Sequence, residues 1–364
     1  MKKLVHVITT ISRGGAENQL LILAREQVFG GQDVTVVFLK DAPELLEDFQ
    51  SAGVIVNKSC YEKNIFHQLM WMAKYFKNND VIIHAHLPRA EILVAATSLK
   101  GSFIVTRHNS EKFFPKMPTS MSSFLSRMVT DRAKSVIAIS NEVSLFLKKN
   151  KEISENTKID IIKYGFDNKM LISQKNIIKS ELGLTNSNII VGTIGRIVPQ
   201  KDYPTLLNAF AAFNSNVPHS KLIILGDGYL ASEMKLLTTK LKLDKNVLWL
   251  GKKSKIQDYL NIMDMFVLSS IYEGFGLVLL EALSVGVPIV ASNISAIPEV
   301  LGNDYPYLAR VGDYSDFADK MMEIYQANAD EITKLALLAK GRLALFNPKQ
   351  MKEKVDSVYQ FTLA

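Results

Sequence analysis

Cysteine is almost missing from this sequence of 364 residues, which contains only Cys60. A single cysteine permits no internal disulfide, and that composition suits a reducing compartment. We expect Cys60 to be a packed or surface thiol rather than a nucleophile. Long apolar runs are also missing, so no segment has the length that spans a membrane. The apolar start at residues 4–8 is too short for an export signal and predicts a first strand, so we expect a cytoplasmic protein.

Motifs of several other protein classes do not occur either. The sequence has no zinc-ligand spacing, no arginine-rich run and no aromatic strand of the type that binds RNA, which makes nucleic acid the weakest candidate partner. The net charge of +7 nevertheless favours polyanionic partners, such as nucleotide phosphates or anionic lipid. A Walker lysine, the dinucleotide-binding glycine pattern and an Asp-X-Asp triplet are missing too. We therefore expect a site that requires no metal and no cofactor.

Short β-branched runs alternate with amphipathic segments along most of the chain. The predicted strands form a first series at residues 4–8, 33–39, 81–85, 103–106 and 135–139 and a second series at residues 189–194, 221–225, 246–250, 265–268 and 288–291. This alternation predicts an α/β fold with parallel sheets and helical crossovers. Because the chain exceeds the usual size of one core, we expect two doubly wound, Rossmann-like domains.

We place the first domain at residues 1–167 and the second at residues 168–347, with the polar stretch 168–187 as the linker. The amphipathic segment 348–364 could pack back on the first domain, which the sequence alone does not decide. Ligands of open parallel sheets bind beyond the carboxyl ends of the strands. Two such domains that face each other would therefore hold the site in the cleft between them.

The segment from residue 272 to residue 281 is the most informative stretch of the sequence. Glu273 and Glu281 stand on either side of a Gly-X-Gly turn that opens an apolar helix. The N–H groups at a helix N-terminus attract anions, and the turn and the start of the helix consist of Gly274, Phe275, Gly276, Leu277 and Val278. Two acids beside such amides predict a ligand with both phosphate and hydroxyl groups, such as a nucleotide sugar. A glycosidase pair is disfavoured, because eight residues of helix would separate the two acids by about 12 Å.

Two other loops predict contacts with an anion. Gly14 and Gly15 lie between the first strand and an apolar helix, where they form an anion or sugar pocket or a tight turn without a ligand. After the sixth strand, Gly195 leads to Arg196 and Lys201. These two cations could converge on one polyanion and neutralise a diphosphate leaving group, or they belong to a solvated basic loop.

Weaker signals occur at other strand ends. Gly226 with Asp227, and Gly251 with Lys252, form glycine turns whose backbone groups could contact a nucleotide. His108 follows a strand of the first series and could orient the hydroxyl group of an acceptor or a sugar, or be hydrogen-bonded within its loop.

A pair of histidines ends the third predicted strand. We expect His84 and His86 to alternate, with one on each side of the sheet. No carboxylate stands at ligand spacing from them, so we predict no metal site there.

Taken together, the paired glycines, the basic pair and the Glu-X7-Glu segment resemble the signature of retaining GT-B glycosyltransferases, with glycosyltransferase family 4 as the best match. The resemblance implies two Rossmann-like domains facing a cleft, with the acceptor bound mainly by the first domain and a nucleotide-diphosphate sugar mainly by the second. It also implies transfer with retention of the anomeric configuration, in which the leaving phosphate helps to deprotonate the acceptor. No protein nucleophile is expected.

The resemblance assigns a role to each matching residue. It implies that Arg196 and Lys201 hold the diphosphate and that Glu281 binds the ribose hydroxyls. Glu273 and the amides of residues 274–278 would contact the donor sugar and phosphate. The paired-glycine loop would close over the diphosphate, and His108 would contact the transferred sugar.

A helical pattern at residues 121–129 raises the question of membrane contact. Its apolar residues recur at helical spacing, and they are Met121, Phe124, Leu125, Met128 and Val129. With Arg127, Arg132 and Lys134 nearby, this stripe could dock on anionic lipid. We favour the alternative, in which the stripe is the core-facing side of an ordinary helix.

The sequence therefore predicts a retaining glycosyltransferase. We expect it to move a hexose or an N-acetylhexosamine from a UDP-sugar, or alternatively GDP-mannose, to a glycan or lipid-linked acceptor in surface polysaccharide or glycolipid synthesis. Two alternatives stay open: a GT-B-fold sugar-nucleotide epimerase, and a non-enzymatic module that binds glycans or lipid surfaces.

Overall fold

The computed structural model describes residues 2–167 and 175–363. The chain divides into two compact units, of which the first consists of Met1–Asp167 with Phe346–Ala364 and the second of Asn168–Leu345. Residues 168–174 of the predicted linker lie outside the described ranges, and the described part of that stretch begins with the helix Lys175–Glu181.

A seven-stranded parallel sheet forms the centre of the first unit. Its strands, in the order of the sequence, are β1 (Lys3–Ile8), β2 (Val34–Phe38), β3 (Ile55–Asn57), β4 (Val81–His86), β5 (Phe103–Arg107), β6 (Ser135–Ala138) and β7 (Ile159–Ile161). Across the sheet their order is β3-β2-β1-β4-β5-β6-β7. In the central pair, Leu4 lies opposite Ile82 and Ile8 lies opposite His86. All carboxyl ends therefore meet at one edge of the sheet.

Helices cover both faces of this sheet. They are α1 (Gly15–Phe29), α2 (Leu46–Ser51), α3 (Ile65–Asn78), α4 (Pro88–Thr97), α5 (Thr119–Thr130) and α6 (Asn141–Lys149). Leu20 of α1 packs with Leu4 in one core, whereas Val94 of α4 packs with Val5 and Val7 in another. Alternate residues of β1 thus face opposite sides, as the pleat of a strand requires.

The second unit is built around a six-stranded parallel sheet in the order β10-β9-β8-β11-β12-β13. Its strands are β8 (Ile189–Ile194), β9 (Ser220–Leu225), β10 (Val247–Gly251), β11 (Met265–Leu268), β12 (Ile289–Ser292) and β13 (Leu308–Ala309). Its helices are α7 (Lys175–Glu181), α8 (Tyr203–Asn216), α9 (Ala231–Lys240), α10 (Ile256–Leu260), α11 (Leu277–Val285), α12 (Ile297–Leu301), α13 (Tyr314–Gln326) and α14 (Ala329–Leu343). A 3-10 turn, Pro199–Lys201, precedes α8. The predicted α/β fold with two doubly wound parallel sheets is confirmed.

The last helix, α15 (Pro348–Leu363), belongs to the first unit. It packs beside α1, and its buried side chains join the core that contains Leu20: Met351, Val355, Val358 and Tyr359. The amphipathic segment whose position the sequence did not decide thus covers part of the first sheet. Among the helices of the described residues, none is long and apolar enough to cross a membrane.

The sequence does not predict β3, β7 and β13. All three lie at sheet edges and contain only two or three residues each. The edge strands β3 and β7 are also partly solvent-exposed, with Ile55 at 54% and Ile161 at 43%. A short edge strand needs no continuous apolar run, and such a run is the signal by which the other strands are recognised.

Helix α5 presents three of the five apolar side chains of the predicted stripe outward, so the core-facing interpretation favoured from the sequence is correct only for Leu125 and Val129, which pack against the core of the first unit. Met121, Phe124 and Met128 are 47%, 62% and 49% exposed. The buried face is mainly small and polar, and it consists of Ser122, Ser123, Ser126, Val129 and Thr130. Ser126 Oγ donates a 2.8 Å hydrogen bond to Glu152 Oε2, which is itself buried. Because a buried carboxylate needs hydrogen-bond donors, Ser126 faces inward.

A buried group of charges fixes the end of β5, directly before His108. Arg107 Nε lies 3.1 Å from Glu91 Oε2, and Arg107 Nη1 lies 3.7 Å from Glu152 Oε2. The Arg107 guanidinium also stacks over Phe113, 4.3 Å from the ring centroid. Burial raises the pKa of Glu91 to about 7, because desolvation disfavours the charged carboxylate; Arg107 opposes that shift and the charge of Glu152 adds to it.

We predict that replacing Glu91 by Gln reduces the dependence of stability on pH. A folded-state pKa above the unfolded value means that this contribution to stability is complete below about pH 4.5 and is lost as the pH rises through about 7. Between pH 5 and 8, the melting temperature of the first unit should therefore fall less in Glu91→Gln than in the wild type. Each kcal/mol of difference in the free energy of unfolding corresponds to roughly 2–4 °C in the melting temperature. Glu47→Gln, at an exposed position of α2, should keep the wild-type slope. Equal slopes of melting temperature against pH in the wild type and both variants would contradict the raised pKa of Glu91.

Candidate functional site

Several predicted site residues of the second unit come together at the carboxyl edge of its sheet. Gly195, Gly226 and Gly251 lie at the ends of three neighbouring strands. Gly195 N donates to Leu225 O at 2.9 Å, and Gly226 N donates to Gly251 O at the same distance. These backbone bonds hold the three loops in a fixed relation to one another.

Gly226 is required by the packing of the loop itself. Its φ is +140°, and a Cβ atom at this position would lie 1.9 Å from Gly195 O. Asp227 turns its carboxylate toward the following residue and accepts a 2.8 Å hydrogen bond from Gly228 N, while its carbonyl accepts one from Ile197 N. This glycine turn therefore has a structural reason to exist that does not depend on a ligand.

Lys201 and Glu273 form a buried ion pair across the loops that follow β8 and β11. Lys201 Nζ lies 2.5 Å from Glu273 Oε1, and the side chains are 14% and 8% exposed. Ser270 Oγ donates to the same carboxylate oxygen at 2.7 Å. The sequence places both charged residues at strand ends but does not predict that they pair.

Hydrogen bonds to the backbone hold this ion pair in position. Ser269 Oγ donates to Lys201 O at 2.9 Å, and Gln200 Nε2 donates to Tyr272 O at 3.0 Å. Arg196 lies in the same loop but is exposed, with a long 3.4 Å bond from its guanidinium to Gln200 Oε1. Lys201 is therefore held by the protein, whereas Arg196 has room to move toward a ligand.

The N-terminus of α11 adds a set of backbone donors. Gly276 is the N-cap residue, with φ +84°, and no side chain caps the helix. Leu277 and Val278 form the start of the first turn, which contains no acidic residue, and Phe275 before it is buried. An uncapped helix N-terminus without an acidic residue in its first turn is suited to bind an anion.

Glu281 lies one turn further along α11 in different surroundings from Glu273. Burial raises the pKa of Glu281 to about 7, because desolvation disfavours the charged carboxylate. Near neutral pH this group can both donate and accept hydrogen bonds, which suits a contact with paired hydroxyl groups. The remaining predicted residue of this unit, Lys252, is exposed beside Gly251.

The paired-glycine loop of the first unit lies against a buried acid, Glu17 of α1. Gly14 is the N-cap of α1, and Gly15 is its first residue. Glu17, in the first turn, is 8% exposed and accepts a 2.5 Å hydrogen bond from Thr10 Oγ1. Its carboxylate lies so close that a Cβ atom on Gly14 would be 2.3 Å from Glu17 Oε2. An acidic residue in the first turn of a helix is the sequence signal for such a contact with the N-cap. Here the Glu17 carboxylate lies at the turn where the sequence predicts an anionic ligand.

His108 is hydrogen-bonded through both ring nitrogens. Its Nε2 lies 3.0 Å from His86 Nδ1, and its Nδ1 lies 2.6 Å from the hydroxyl oxygen of Tyr164. Burial, and to a lesser extent Arg107, lowers the pKa of His108 to about 3, so the imidazole is neutral. The partner Tyr164 has no signal in the sequence, because it follows the unpredicted strand β7.

The expectation that His84 and His86 face opposite sides of the sheet is wrong. Residues two apart in a strand point to the same face, and their ring centroids are 4.2 Å apart. His6, opposite His84 on β1, completes a buried cluster whose ligand atoms all lie within 4.8 Å of one another. Each ring nitrogen of this cluster has a partner within the protein, such as the 3.0 Å contact between His6 Nδ1 and His86 Nε2. The donor set therefore fits a hydrogen-bond network better than a metal site.

Cys60 is fully buried in the core on the α4 side of the first sheet. Burial raises the pKa of its thiol to about 12, so the reactive thiolate is disfavoured. The structure agrees with a packed thiol.

Comparisons with known families cover most of the chain. The model of the family "Glycosyltransferase Family 4" matches residues 13–169, and that of "Glycosyl transferases group 1" matches residues 174–336. The first match covers the paired-glycine loop and His108, and the second covers the loops around Lys201 and Glu273.

Two curated relatives illustrate the similarity. N-acetyl-alpha-D-glucosaminyl L-malate synthase of Bacillus anthracis is 28% identical over 256 residues, which are 68% of this chain and 66% of the relative. The UDP-Gal:alpha-D-GlcNAc-diphosphoundecaprenol alpha-1,3-galactosyltransferase of Escherichia coli is 30% identical over 174 residues, or 46% of this chain and 45% of the relative. The matched segments thus span about half to two thirds of these relatives' own length.

A solved structure confirms the fold over the whole length. Anabaena Alr3699/HepE, crystallised with UDP and glucose, superimposes with a TM-score of 0.81 at 20% sequence identity, and the match covers 99% of this chain and 100% of that chain. At this level of identity the likeness concerns the fold, which is the predicted GT-B arrangement of two parallel sheets with alternating helices.

We predict that Gly226→Ala destabilises the second unit more than Gly251→Ala. Both substitutions force a side chain into a backbone conformation that favours glycine, at a cost of about 1–3 kcal/mol. A Cβ atom at 226 would also overlap Gly195 O, whereas one at 251 meets nothing within 4 Å. Thermal unfolding should show the larger decrease for Gly226→Ala, and equal decreases would show that the close approach of the two loops is not the constraint.

Proposed function

This chain belongs to the group 1 and family 4 glycosyltransferases, and from that premise we propose that it transfers a hexose or an N-acetylhexosamine from a nucleotide-diphosphate sugar to a glycan or lipid-linked acceptor. The observation that carries the proposal is the Lys201–Glu273 ion pair, which joins the loop after β8 to the loop that leads to the uncapped N-terminus of α11. A cation, a carboxylate and backbone amides suit a ligand that has both phosphate and hydroxyl groups.

The names of the relatives favour a particular class of donor. The Escherichia coli relative is named for UDP-Gal and a diphosphoundecaprenol-linked acceptor, and the Anabaena structure contains UDP and glucose. We therefore propose a UDP-sugar as the donor, with GDP-mannose as the second choice. We place the reaction in the synthesis of surface polysaccharide or glycolipid, at the cytoplasmic side of the cell membrane.

The second unit is proposed to bind the donor through the residues described above. Lys201 and Arg196 would contact the diphosphate, together with the amides of residues 274–278. The ammonium group of Lys201 has three donors, and one of them is directed at Glu273. The other two are available for phosphate oxygens. Glu281, whose pKa is near neutral, would bind the ribose hydroxyls.

The proposed chemistry is transfer with retention of the anomeric configuration. The bond between the anomeric carbon and the diphosphate oxygen breaks, and the acceptor oxygen bonds to the same face of that carbon. The proton of the acceptor hydroxyl passes to the leaving phosphate, so no protein nucleophile takes part. Lys201 and Arg196 stabilise the negative charge that develops on the diphosphate. Two cations and a helix terminus supply positive charge at this site, so the proposal requires no metal and no cofactor.

The first unit is proposed to bind the acceptor. Its candidate contact is His108, which would orient a substrate hydroxyl by exchanging its bond to the Tyr164 hydroxyl for one to the substrate. The imidazole is neutral, since its pKa is lowered to about 3, and a neutral ring can serve both as donor and as acceptor.

A surface of the first unit is proposed to contact anionic lipid. Phe66 and Met70 of α3 are 75% and 70% exposed, and Phe124 and Met128 of α5 are 62% and 49% exposed. Both helices pack on α4. The net charge of +7 supports a negatively charged lipid surface as the partner. Arg132 does not contribute in the predicted way, because its guanidinium donates to backbone carbonyl groups.

We predict that Lys201→Ala lowers the rate of UDP release from UDP-galactose or UDP-glucose by roughly 100- to 1000-fold, which is the size of a lost electrostatic contact in a transition state. Arg196→Ala should act in the same direction. The rates are measured with and without added acceptor, and Lys240→Ala, at an exposed position of α9, should keep the wild-type rate.

The Lys201 variant leaves Glu273 buried and unpaired, which destabilises the fold. The double variant Lys201→Ala/Glu273→Gln removes this charge and should recover thermal stability but not turnover. Near-normal turnover in Arg196→Ala and in the double variant would contradict the proposed donor site.

We predict that Phe124→Ser/Met128→Ser weakens binding to vesicles that contain phosphatidylglycerol by roughly tenfold or more, since two exposed apolar side chains no longer enter the interface. Wild-type binding, measured by vesicle sedimentation, should decrease with added salt. Leu236→Ser, at an exposed apolar position of α9, should bind as the wild type does. Failure of the wild type to bind these vesicles would remove the lipid proposal.

A further inference from the structure

A small cavity lies in the first unit beside His108, between the sheet and the helices α1 and α15. Its volume is about 30 Å³. Gln19 of α1, His108 and Tyr164 bring polar groups to its lining, and His108 is the only lining residue that is partly exposed, so the cavity reaches the surface there. We call this space the His108 cavity. The rest of its wall is mainly apolar and includes Leu20, Ile137, Ile139, Ile162 and Met351.

Gln19 brings an amide oxygen without a partner to the His108 cavity. The residue is 4% exposed, and its Oε1 is buried and accepts no hydrogen bond from any residue that the structure describes. An amide oxygen only accepts hydrogen bonds, so the partner that would satisfy it is a donor. Because a buried polar atom without a partner destabilises the folded protein, a ligand that donates to Gln19 Oε1 removes an unfavourable contribution.

The size and the walls of the His108 cavity limit what can enter it. A water molecule needs at least about 10–15 Å³, so this cavity holds two atoms of that size, such as a hydroxyl oxygen and the carbon atom that bears it. The hydroxyl group supplies the donor for Gln19 Oε1, and the carbon atom contacts the apolar wall. A complete sugar ring is too large, so the remainder of such a ligand stays outside, where His108 is exposed.

The first turn of α1 is occupied by a carboxylate of the protein itself. Glu17 is 8% exposed and accepts hydrogen bonds from Thr10 Oγ1 and from its own backbone N–H. Burial raises the pKa of Glu17, and these two bonds oppose that shift because they favour the charged form. Gly14 N, at the N-cap, donates to Ser12 O at 2.9 Å. Two donors at this helix terminus are therefore used within the protein.

Glu17 also makes the surroundings of the His108 cavity unfavourable for an anion. Burial raises the pKa of Tyr164 well above its usual value, and the negative charge of Glu17 adds to that shift. The Glu17 carboxylate therefore lies close enough to act on the Tyr164 hydroxyl, which belongs to the lining of the cavity. A phosphate group on a ligand at this place would meet a negative charge, whereas an uncharged sugar would not.

We propose that the His108 cavity is a subsite for an uncharged sugar of the acceptor, in which one hydroxyl group of that sugar donates to Gln19 Oε1. The inference rests on the proposed function, in which the first unit binds the acceptor. The cavity encloses this hydroxyl group, so it is not the one that attacks the donor, and no bond forms or breaks in the cavity. Glu17 makes the subsite selective for a sugar without a phosphate group.

Titrations with simple sugars test this subsite without a donor and without a complete acceptor. The probes are the methyl glycosides of glucose, galactose and N-acetylglucosamine, each compared with its 6-phosphorylated form, and the readout is the NMR signal of the His108 ring. In the wild type, we expect at least one methyl glycoside to shift this signal and its phosphorylated form to bind roughly tenfold or more weakly. In Glu17→Gln this difference in affinity should become smaller.

The variant Gln19→Leu removes the amide oxygen and keeps a side chain at the cavity. It should weaken binding of the methyl glycoside roughly tenfold or more, since the enclosed hydroxyl group loses its acceptor. The melting temperature without sugar should not fall, because the variant no longer buries an unpaired amide oxygen. Gln32→Leu is the matched control. Gln32 Oε1 is also buried without a partner among the described residues, but Gln32 does not line the cavity, so this variant should bind the sugar as the wild type does.

Equal affinity of Gln19→Leu and the wild type for the methyl glycoside would overturn the proposal. Equal affinity of the wild type for the neutral and the phosphorylated sugar would overturn it too, as would failure of all three methyl glycosides to bind. If Gln19→Leu does not fold, the wild-type comparison of neutral and phosphorylated sugars still decides. The proposed function fails by a separate result, the absence of UDP release from UDP-glucose and UDP-galactose, and that result leaves the titrations unaffected.

Discussion

Parallel strand pairing is the constraint on which the candidate sites depend. Each strand pairing in both sheets is parallel, so the carboxyl ends of neighbouring strands meet at one edge. In the second unit this edge brings together loops that lie far apart in the sequence, and the pairing of Lys201 with Glu273 spans 72 residues. In the first unit, the pairing of β1 with β4 places His6 opposite His84. The chemistry proposed for each unit begins from this arrangement.

The strands buried in the sheet interiors could be predicted from the sequence, because each is a continuous apolar run. The short edge strands β3, β7 and β13 could not, since two or three residues are too few to form such a run. Helix α5 shows a second kind of limit. Its apolar periodicity is real, but Ser126 faces inward to bond to the buried acid Glu152, and a residue that is distant in sequence cannot be included in a local pattern.

The candidate site shows the same division. Glycine turns and charged residues at strand ends can be recognised one loop at a time, and family resemblance adds a proposed role for each. The contacts that give the site its electrostatics join different loops, as in the pair Lys201 and Glu273, or Glu17 against the Gly14 turn. Such contacts depend on how far each loop extends and on where its side chains point, which a local sequence pattern does not contain. For the same reason the link from His84 to Tyr359, 275 residues away, has no counterpart in the sequence pattern.

The central claim is that the loops around Lys201 and the N-terminus of α11 bind the diphosphate of a nucleotide sugar. A crystal structure of the protein with UDP tests this most directly. The account predicts diphosphate oxygens within hydrogen-bond distance of Lys201 Nζ, the Arg196 guanidinium and the amides of residues 274–278, with Glu281 on the ribose. UDP bound elsewhere on the protein, or a saturating concentration of UDP that leaves this site empty, would contradict it.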